Sequence, residues 1–273
     1  MPQITANGVT THFDRTGSGP PLVLLHGGEA DHTMFAAFAP VLAQRFCVIA
    51  PDQRDSGLTN NPADAYGLNE LADDVALLIR TLGHPRAHVF GTSFGGQVAQ
   101  VLAARHPTVI DRLVLSSTWR VGASPLAFAP EVFGTLAALR QDTAKNAPEI
   151  ARFFLSDEAL GNRPELIEIF RGGRRTAAQT GRRSAVLTLP ADRDLRSFDR
   201  PTLIIAGERD RLIPNAETLA IAELLPRAEV RLLAGVSHIG AIEAPQIVAE
   251  AVIDFLCADS IKQTTLAITG RMT

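Results

Sequence analysis

The sequence has few of the residues that mark a secreted, nucleic-acid-binding or membrane-spanning protein. Its 273 residues include only two cysteines, Cys47 and Cys257, which we expect to remain unpaired in a reducing compartment. One Trp, one Tyr and a net charge of −3 argue against a surface that binds nucleic acid. No apolar run approaches the ~18 residues of a membrane span. Residues 1–14 lack the basic segment and apolar core of a signal peptide, so a cytoplasmic protein is expected.

Signals for bound cofactors are also missing. The sequence contains neither a phosphate-binding loop of the G-x-x-x-x-G-K-[ST] type nor a dinucleotide fingerprint. Four histidines lie in strand-like or turn positions without metal-ligand spacing: His12, His84, His88 and His106. We therefore expect no cofactor, no metal ion and no membrane or nucleic-acid partner, while an assembly of identical chains stays open.

The sequence does contain an alternation of short apolar runs and helical patterns. The runs are too short for helices, and their unbroken apolarity is typical of parallel strands buried on both faces. They lie at 22–25, 47–50, 87–90, 113–115, 203–206 and 230–233. Helical patterns follow at 33–44, 69–82, 94–105, 214–225 and 244–256. This order predicts an α/β fold with a mostly parallel twisted sheet flanked by helices. An Asn7-Gly8 turn predicts a hairpin before it.

The alternation stops between residues 119 and 198, where the chain has helix-like segments separated by prolines. We interpret this stretch as a helical cap inserted between two strands of one sheet. Residues 1–118 and 199–257 then form the core, 119–198 the cap, and 258–273 a short C-terminal tail that we expect to be poorly ordered.

The strongest chemical signal is Gly91-Thr92-Ser93-Phe94-Gly95-Gly96, which lies between a predicted strand and a predicted helix. A sharp turn there lifts the serine hydroxyl above the sheet, and the flanking glycines relieve crowding. Free N–H groups at the start of the helix point toward developing negative charge. The pattern predicts that Ser93 is a nucleophile.

A serine nucleophile needs a base, and the base needs an acid that orients it. Asp210 follows the apolar run 203–206, and His238 follows the run 230–233. Both lie just past the carboxyl ends of predicted strands, where open α/β sheets form their sites. Glu208 is a competing acid, but Asp210 lies further beyond the strand end and is preferred.

A tetrahedral intermediate also needs N–H donors for its oxyanion. The N–H of Phe94, directly after the serine, is one candidate. The loop His26-Gly27-Gly28 after the first parallel strand offers a second, the N–H of Gly28. We interpret His26 as a structural residue of that loop.

Together these motifs resemble the α/β-hydrolase superfamily in its small-cap serine hydrolase branch. The resemblance spans about residues 19–255 and includes the order Ser93, Asp210, His238. The segment Pro51-Asp52-Gln53-Arg54-Asp55-Ser56-Gly57 also resembles a D-x-R-G-x-G turn of the family, with Asp55 at a position usually held by glycine. Asp tolerates a left-handed backbone better than most residues, so we expect only a local change.

The resemblance implies a serine hydrolase that cleaves a small-molecule carboxylic ester or lactone through an acyl-enzyme on Ser93. Members with a carboxylate nucleophile, such as haloalkane dehalogenases and epoxide hydrolases, are disfavoured by the serine. A carbon–carbon bond hydrolase of a diketone-type substrate stays open, as does a cofactor-free haloperoxidase or perhydrolase. A ligand-binding scaffold without activity is the alternative from another class.

The cap contains five arginines and no acid between residues 171 and 183. A solvated helix face is one interpretation of this run. The other is that Arg175 or Arg182 binds a substrate carboxylate, in which case its change to Ala raises KM for anionic substrates only.

Overall fold

An eight-stranded sheet lies at the centre of the protein. The computed structural model describes residues 1–61, 65–172 and 175–269, the last eleven of these by their backbone alone. The strands are β1 (Gln3–Ala6), β2 (Val9–Thr16), β3 (Pro21–Leu25), β4 (Cys47–Pro51), β5 (Ala87–Thr92), β6 (Ile110–Ser116), β7 (Thr202–Gly207) and β8 (Ala228–Leu233). Their order is β1-β2-β4-β3-β5-β6-β7-β8. Strands β3 to β8 are parallel, while β1 and β2 form an antiparallel hairpin that pairs with β4. The predicted α/β sheet and its N-terminal hairpin are confirmed.

Helices cover both faces of this sheet. The α-helices are α1 (Ala39–Leu42), α2 (Leu68–Thr81), α3 (Phe94–Arg105), α4 (Pro125–Phe128), α5 (Pro130–Leu139), α6 (Thr143–Phe154), α7 (Asp157–Asn162), α8 (Ala177–Ala185), α9 (Asn215–Leu219), α10 (Gly240–Glu243) and α11 (Pro245–Thr269). Short 3₁₀ helices are His32–Phe35, Pro107–Val109, Arg140–Asp142, Pro164–Phe170, Val186–Thr188 and Ala220–Leu224. Two predicted helices, 33–44 and 214–225, are each a 3₁₀ segment joined to a short α-helix.

The core has two layers because residues of a strand point alternately to its two faces. On β3, Val23 and Leu25 pack in the cluster that includes α2 and α3, whereas Leu22 and Leu24 pack in the cluster that includes α1 and α11. All four side chains are fully buried. Burial of each contributes about 1.5–3 kcal/mol, so β3 is held firmly between the layers. The carboxyl end of β3 therefore has a fixed position.

One strand departs from the expected burial. The run 230–233 belongs to β8, which is the last of the described strands in the sheet order and pairs with β7. Val230 and Leu232 are 51% and 54% exposed, so the prediction that this run is buried on both faces is wrong. The apolar pattern does not distinguish a central strand from an edge strand.

The connection between β6 and β7 contains α4 to α8 and, in its described part, no strand. This is the inserted helical cap that the sequence predicts. The closing helix differs from expectation: α11 continues to Thr269, so most of the segment 258–273, predicted to be a poorly ordered tail, is helical. Residues 270–273 lie outside the described residues. In the described chain no helix combines the length and apolarity needed to cross a membrane. Cys47 and Cys257 are both free thiols.

Helix α3 begins unusually close to β3. A Cβ on Gly95, in the first turn of α3, would overlap the backbone carbonyl of Leu25 at the end of β3. Only a residue without a side chain permits this approach. The start of α3 and the loop after β3 are consequently held next to each other.

We expect Gly95→Ala to lower the free energy of unfolding by about 1–3 kcal/mol or more, because its methyl group meets rigid backbone. Gly134→Ala in α5 is the matched control, since a Cβ there has no neighbour within 4 Å. This control should raise stability by about 0.5–1 kcal/mol, as helical alanine does relative to glycine. Urea unfolding of the three proteins measures both values. Equal stability of Gly95→Ala and the parent would contradict the close approach.

Candidate active site

Ser93 lies at the turn between β5 and α3 in a strained conformation. Its φ is 53° and its ψ is −120°, a region that non-glycine residues rarely adopt. Four hydrogen bonds hold its backbone. The Ser93 N–H donates to the Ser116 carbonyl at 2.9 Å. The Ser93 carbonyl accepts from the N–H groups of Gly96 at 2.9 Å and Gln97 at 3.3 Å and from the Thr118 hydroxyl at 2.7 Å. The neighbouring strand and helix thus hold the serine where the sequence motif predicts it.

The Asp210 and His238 side chains meet at the carboxyl ends of β7 and β8. His238 Nδ1 lies 2.9 Å from Asp210 Oδ2, and both side chains are 1% exposed. Asp210 Oδ1 accepts the N–H groups of Leu212 and Ile213, each at 2.9 Å. With both carboxylate oxygens engaged, the carboxylate cannot turn away from the imidazole. A proton on Nδ1 follows from this contact, which leaves Nε2 as the basic nitrogen. Among the described residues, Nε2 has no hydrogen-bond partner.

The loops that carry these two residues are tied together by their backbones. The Arg209 N–H donates to the Val236 carbonyl at 2.8 Å, and the Ser237 hydroxyl donates to the Arg209 carbonyl at 3.1 Å. Glu208, the competing acid, is exposed and accepts the Gly235 N–H at 3.0 Å. The preference for Asp210 as the partner of His238 therefore agrees with the geometry.

A cavity of about 620 Å³ is lined by four of the five predicted site residues. Ser93, Phe94, Gly28 and His238 all line it. A Cβ at position 28 would lie 3.6 Å from the Cβ of Phe94, so the two candidate oxyanion donors belong to adjacent backbone segments. Most of the remaining wall is apolar and comes from both core and cap, including Met34, Trp119, Phe133, Ile150, Phe154 and Ile239. The charged lining residues are Glu29, Asp31, Arg140, Arg163 and Arg175.

His26 is a buried structural residue, as the sequence suggests. Its Nδ1 lies 2.8 Å from the Gly27 carbonyl, and its Nε2 accepts the Gln53 N–H at 3.1 Å. Burial, reinforced by the nearby Arg183 charge, lowers the pKa of His26 to about 3. The imidazole is therefore neutral near pH 7, and its two nitrogens fix the start of the loop that carries Gly28.

Cap arginines bind the core beside this loop. Arg175 donates to the carbonyls of Asp55 at 2.5 Å, Gly28 at 2.8 Å and Ala30 at 3.2 Å. Arg182 forms two hydrogen bonds of 2.8 Å with the carboxylate of Asp55. These contacts direct both guanidinium groups to the protein and argue against the hypothesis that they bind a substrate carboxylate. Asp55 has a φ of 57°, the left-handed conformation expected at its position. Arg174 of the same run lies outside the described residues.

One cluster in the described residues has the atoms of a metal site. Ligand atoms of Asp31, His32 and Asp52 lie within 4.8 Å of one another. Their hydrogen bonds already serve the loop: Asp52 accepts from the His32 and Leu58 N–H groups and contacts the His32 ring, and Asp31 caps the 3₁₀ helix that follows. We interpret the cluster as a loop-stabilising network.

Three residues that support the predicted site have no role assigned from sequence. Gln53 and Arg183 contact the loop of residues 26–28 from distant parts of the chain, and Glu243 accepts the Ser237 N–H from the helix that follows His238. Gln53 belongs to the turn 51–57 and Arg183 to the arginine-rich run, but their partners depend on how the chain packs. Phe154 of the cap packs edge-on against the His238 ring, with 5.6 Å between ring centroids.

The mostly parallel sheet, the serine at a strand–helix turn and the Asp–His pair define the class of the protein, a hydrolase built on an α/β sheet. The family of alpha/beta hydrolase fold proteins matches residues 20–245, and the chain belongs to this family.

Relatives have several hydrolase activities. A 2-hydroxymuconate semialdehyde hydrolase from Pseudomonas sp. (strain CF600) is 30% identical, and the match covers 93% of each chain. A thermophilic esterase from Thermogutta terrifontis is 27% identical, with a TM-score of 0.79 over 94% of this chain and 98% of that chain. The enol-lactonase from Burkholderia xenovorans LB400 is 26% identical, with a TM-score of 0.79 over 93% and 99%. The protein is therefore a hydrolase, and the interpretation as a scaffold without activity is set aside.

The lowered pKa of His26 predicts a loss of stability in acid. Below pH 6.5 the unfolded chain protonates this histidine, whereas the folded protein keeps it neutral down to about pH 3. Between these values it adds up to about 1.4 kcal/mol per pH unit to the slope of unfolding free energy, with stability falling as pH falls. His26→Gln, which keeps a hydrogen-bond acceptor, should lack this contribution. Urea unfolding from pH 7 to pH 4 compares the slopes, and identical slopes would exclude a neutral buried His26.

Proposed function

We propose that the protein is a serine hydrolase that cleaves a carboxylic ester or lactone through an acyl-enzyme on Ser93. The observation that carries this proposal is the buried Asp210–His238 contact, which leaves Nε2 of His238 basic in the cavity that Ser93 also lines. A hydroxyl and an oriented imidazole in one cavity are the components that acyl transfer requires.

In the first half of the reaction, His238 Nε2 takes the proton of the Ser93 hydroxyl as its oxygen attacks the carbonyl carbon. The carbonyl π electrons move to oxygen, and the N–H groups of Gly28 and Phe94 stabilise the resulting oxyanion. Asp210 stabilises the imidazolium. When the intermediate collapses, the alcohol oxygen leaves with the proton from His238, and the acyl group remains on Ser93.

In the second half, His238 Nε2 takes a proton from water, and the hydroxide formed attacks the acyl carbon. The same two N–H groups stabilise the second oxyanion. Collapse breaks the bond to the Ser93 oxygen, which recovers its proton from His238, and the carboxylic acid is released. For a lactone the alcohol and the acid belong to one product molecule.

The cavity supports a small, largely apolar substrate. Its volume of about 620 Å³ is within the ~300–1,000 Å³ of small-molecule sites, and aromatic and aliphatic side chains form most of its wall. The esterase and enol-lactonase relatives support the same bond type. A carbon–carbon hydrolase of a diketone-type substrate is the second candidate, because the Pseudomonas relative is named for a semialdehyde substrate. We also propose a cytoplasmic location, to which the two free thiols give support.

Ser93→Ala should lower kcat by several orders of magnitude, because the remaining groups supply only binding and oxyanion stabilisation. The measurement is hydrolysis of p-nitrophenyl esters from acetate to decanoate, beside fluorophosphonate labelling of the protein. Ser184→Ala, an exposed serine of α8, is the matched control and should keep parental activity.

Two results would oppose the proposal. One is activity of Ser93→Ala within about tenfold of the parent, since loss of a nucleophile costs far more. The other is absence of fluorophosphonate labelling in the parent. Labelling of Ser93 without turnover of any ester would instead direct the search to lactones and diketones.

Asp210→Asn should lower kcat by about 10³–10⁴-fold while the fold is kept, because the amide no longer stabilises the imidazolium or fixes its tautomer. Glu208→Gln tests the competing acid. It should keep kcat within about threefold, because the neutral amide still accepts a hydrogen bond from Gly235. A larger loss in the Glu208 variant than in the Asp210 variant would reverse the assignment.

A further inference from the structure

Arg183 of α8 contacts both candidate oxyanion residues. Its guanidinium carbon lies 3.9 Å from the centroid of the Phe94 ring, and its Nε is 3.4 Å from the Gly28 carbonyl oxygen. The residue is 6% exposed and lies outside the described lining of the cavity. We propose that Arg183 is a positioning residue for the oxyanion hole, an inference that rests on the proposed serine hydrolase function.

A second set of contacts connects Arg183 to the start of the same loop. Its Nη2 donates to Gln53 Oε1 at 2.9 Å. Gln53 in turn donates from Nε2 to the His26 carbonyl at 2.9 Å and from its backbone N–H to the His26 ring. One cap side chain therefore restrains the oxyanion loop at its first residue, through Gln53, and directly at Gly28.

Gly28 needs such restraint because glycine has wide backbone freedom. Its carbonyl accepts hydrogen bonds from two guanidinium groups, Arg175 at 2.8 Å and Arg183 at 3.4 Å. A turn of the Gly28–Glu29 peptide breaks both contacts, so that Arg175 and Arg183 each lose a charge-assisted hydrogen bond in a buried setting. The orientation of the loop thus depends on the docked cap.

The stacking on Phe94 fixes the other donor. A cation over an aromatic face is attracted more strongly when it is buried. Since Phe94 is the first residue of α3, its ring position and its backbone N–H move together. Burial lowers the pKa of Arg183 to about 10, so the guanidinium is still charged near pH 7. Its positive charge also favours negative charge that develops nearby.

The competing explanation is that Arg183 only attaches the cap to the core. The preceding residue, Arg182, distinguishes this explanation from a role in positioning the oxyanion hole. Arg182 also joins α8 to the core, but it pairs with the carboxylate of Asp55 in the turn after β4. Arg182→Met removes a cap–core ion pair away from Gly28 and Phe94. Arg183→Met removes the contacts with the oxyanion residues and keeps a side chain of similar length.

The test compares the parent, Arg183→Met, Arg183→Lys and Arg182→Met. For each we measure the second-order rate of fluorophosphonate labelling, kcat and KM on the best p-nitrophenyl ester, and the affinities of a boronic acid and of the carboxylic acid product. The boronic acid forms a tetrahedral adduct with the serine and reports on the oxyanion hole. The product acid reports on the cavity alone.

We expect Arg183→Met to lower kcat, labelling rate and boronic acid affinity about tenfold to hundredfold, the scale of a displaced oxyanion donor. KM and product affinity should stay within about twofold, because ground-state binding is unchanged. Arg183→Lys should lie between this variant and the parent, since lysine lacks the planar fork. Arg182→Met should keep the parental ratio of boronic acid to product affinity.

The inference is overturned if boronic acid and product affinities fall in parallel, or if Arg182→Met has the same losses as Arg183→Met. If Arg183→Met does not fold, Arg183→Lys provides the test. A boronic acid affinity of Arg183→Lys equal to that of the parent rejects the inference. Failure of the proposed function is distinct, because the parent itself then shows no labelling at Ser93.

Discussion

The close approach of α3 to β3 is the constraint on which the site depends. Gly95 packs its backbone against the carbonyl of Leu25, which is the last residue of β3. This contact places the start of α3, with Ser93 and Phe94, beside the loop that contains Gly28. A Cβ at position 95 would overlap the Leu25 carbonyl, so the close approach requires glycine. The strain at Ser93, with its φ of 53°, is tolerable because the fixed strands on either side hold the turn.

The cap forms part of the cavity wall and also contacts both loops that carry the proposed site residues. On one side its arginines bind the loop that contains Gly28. On the other side Glu243 links the cap to the His238 loop, because its carboxylate accepts the N–H groups of Ser156 and Ser237. The Ile239 N–H donates to the Phe154 carbonyl at 3.2 Å, which adds a second link. Movement of the cap is therefore coupled to the geometry of both the proposed base and the oxyanion donors.

The sequence was sufficient where the signal is local. Apolar runs that end in turn residues located the strands, and Ser93, Asp210 and His238 follow such ends directly, so the parallel sheet predicts their common edge. Features that depend on contacts between distant parts of the chain had no such local signal. The edge position of β8 depends on which strand lacks a neighbour, and the partners of Arg182 and Arg183 depend on how α8 packs against loops more than 120 residues earlier. The helical continuation of α11 past residue 257 was missed because a polar segment was equated with a lack of structure.

The positive charge of the buried arginines beside the Gly28 loop bears on which state of the proposed reaction is stabilised. Asp55 compensates Arg182, but Arg175 and Arg183 donate in this site to neutral carbonyl, amide and hydroxyl oxygens. Burial lowers the pKa of both arginines, because the charged form loses contact with water. The carboxylates of Glu29, Asp31 and Asp55 offset part of the Arg175 charge, and Asp55 offsets part of the Arg183 charge. A neutral ester gains little from the remaining positive potential, whereas a developing oxyanion gains more, and an interaction that strengthens in the transition state raises kcat. In the proposed mechanism, the arginines are therefore buried beside the place where their charge would favour the oxyanion.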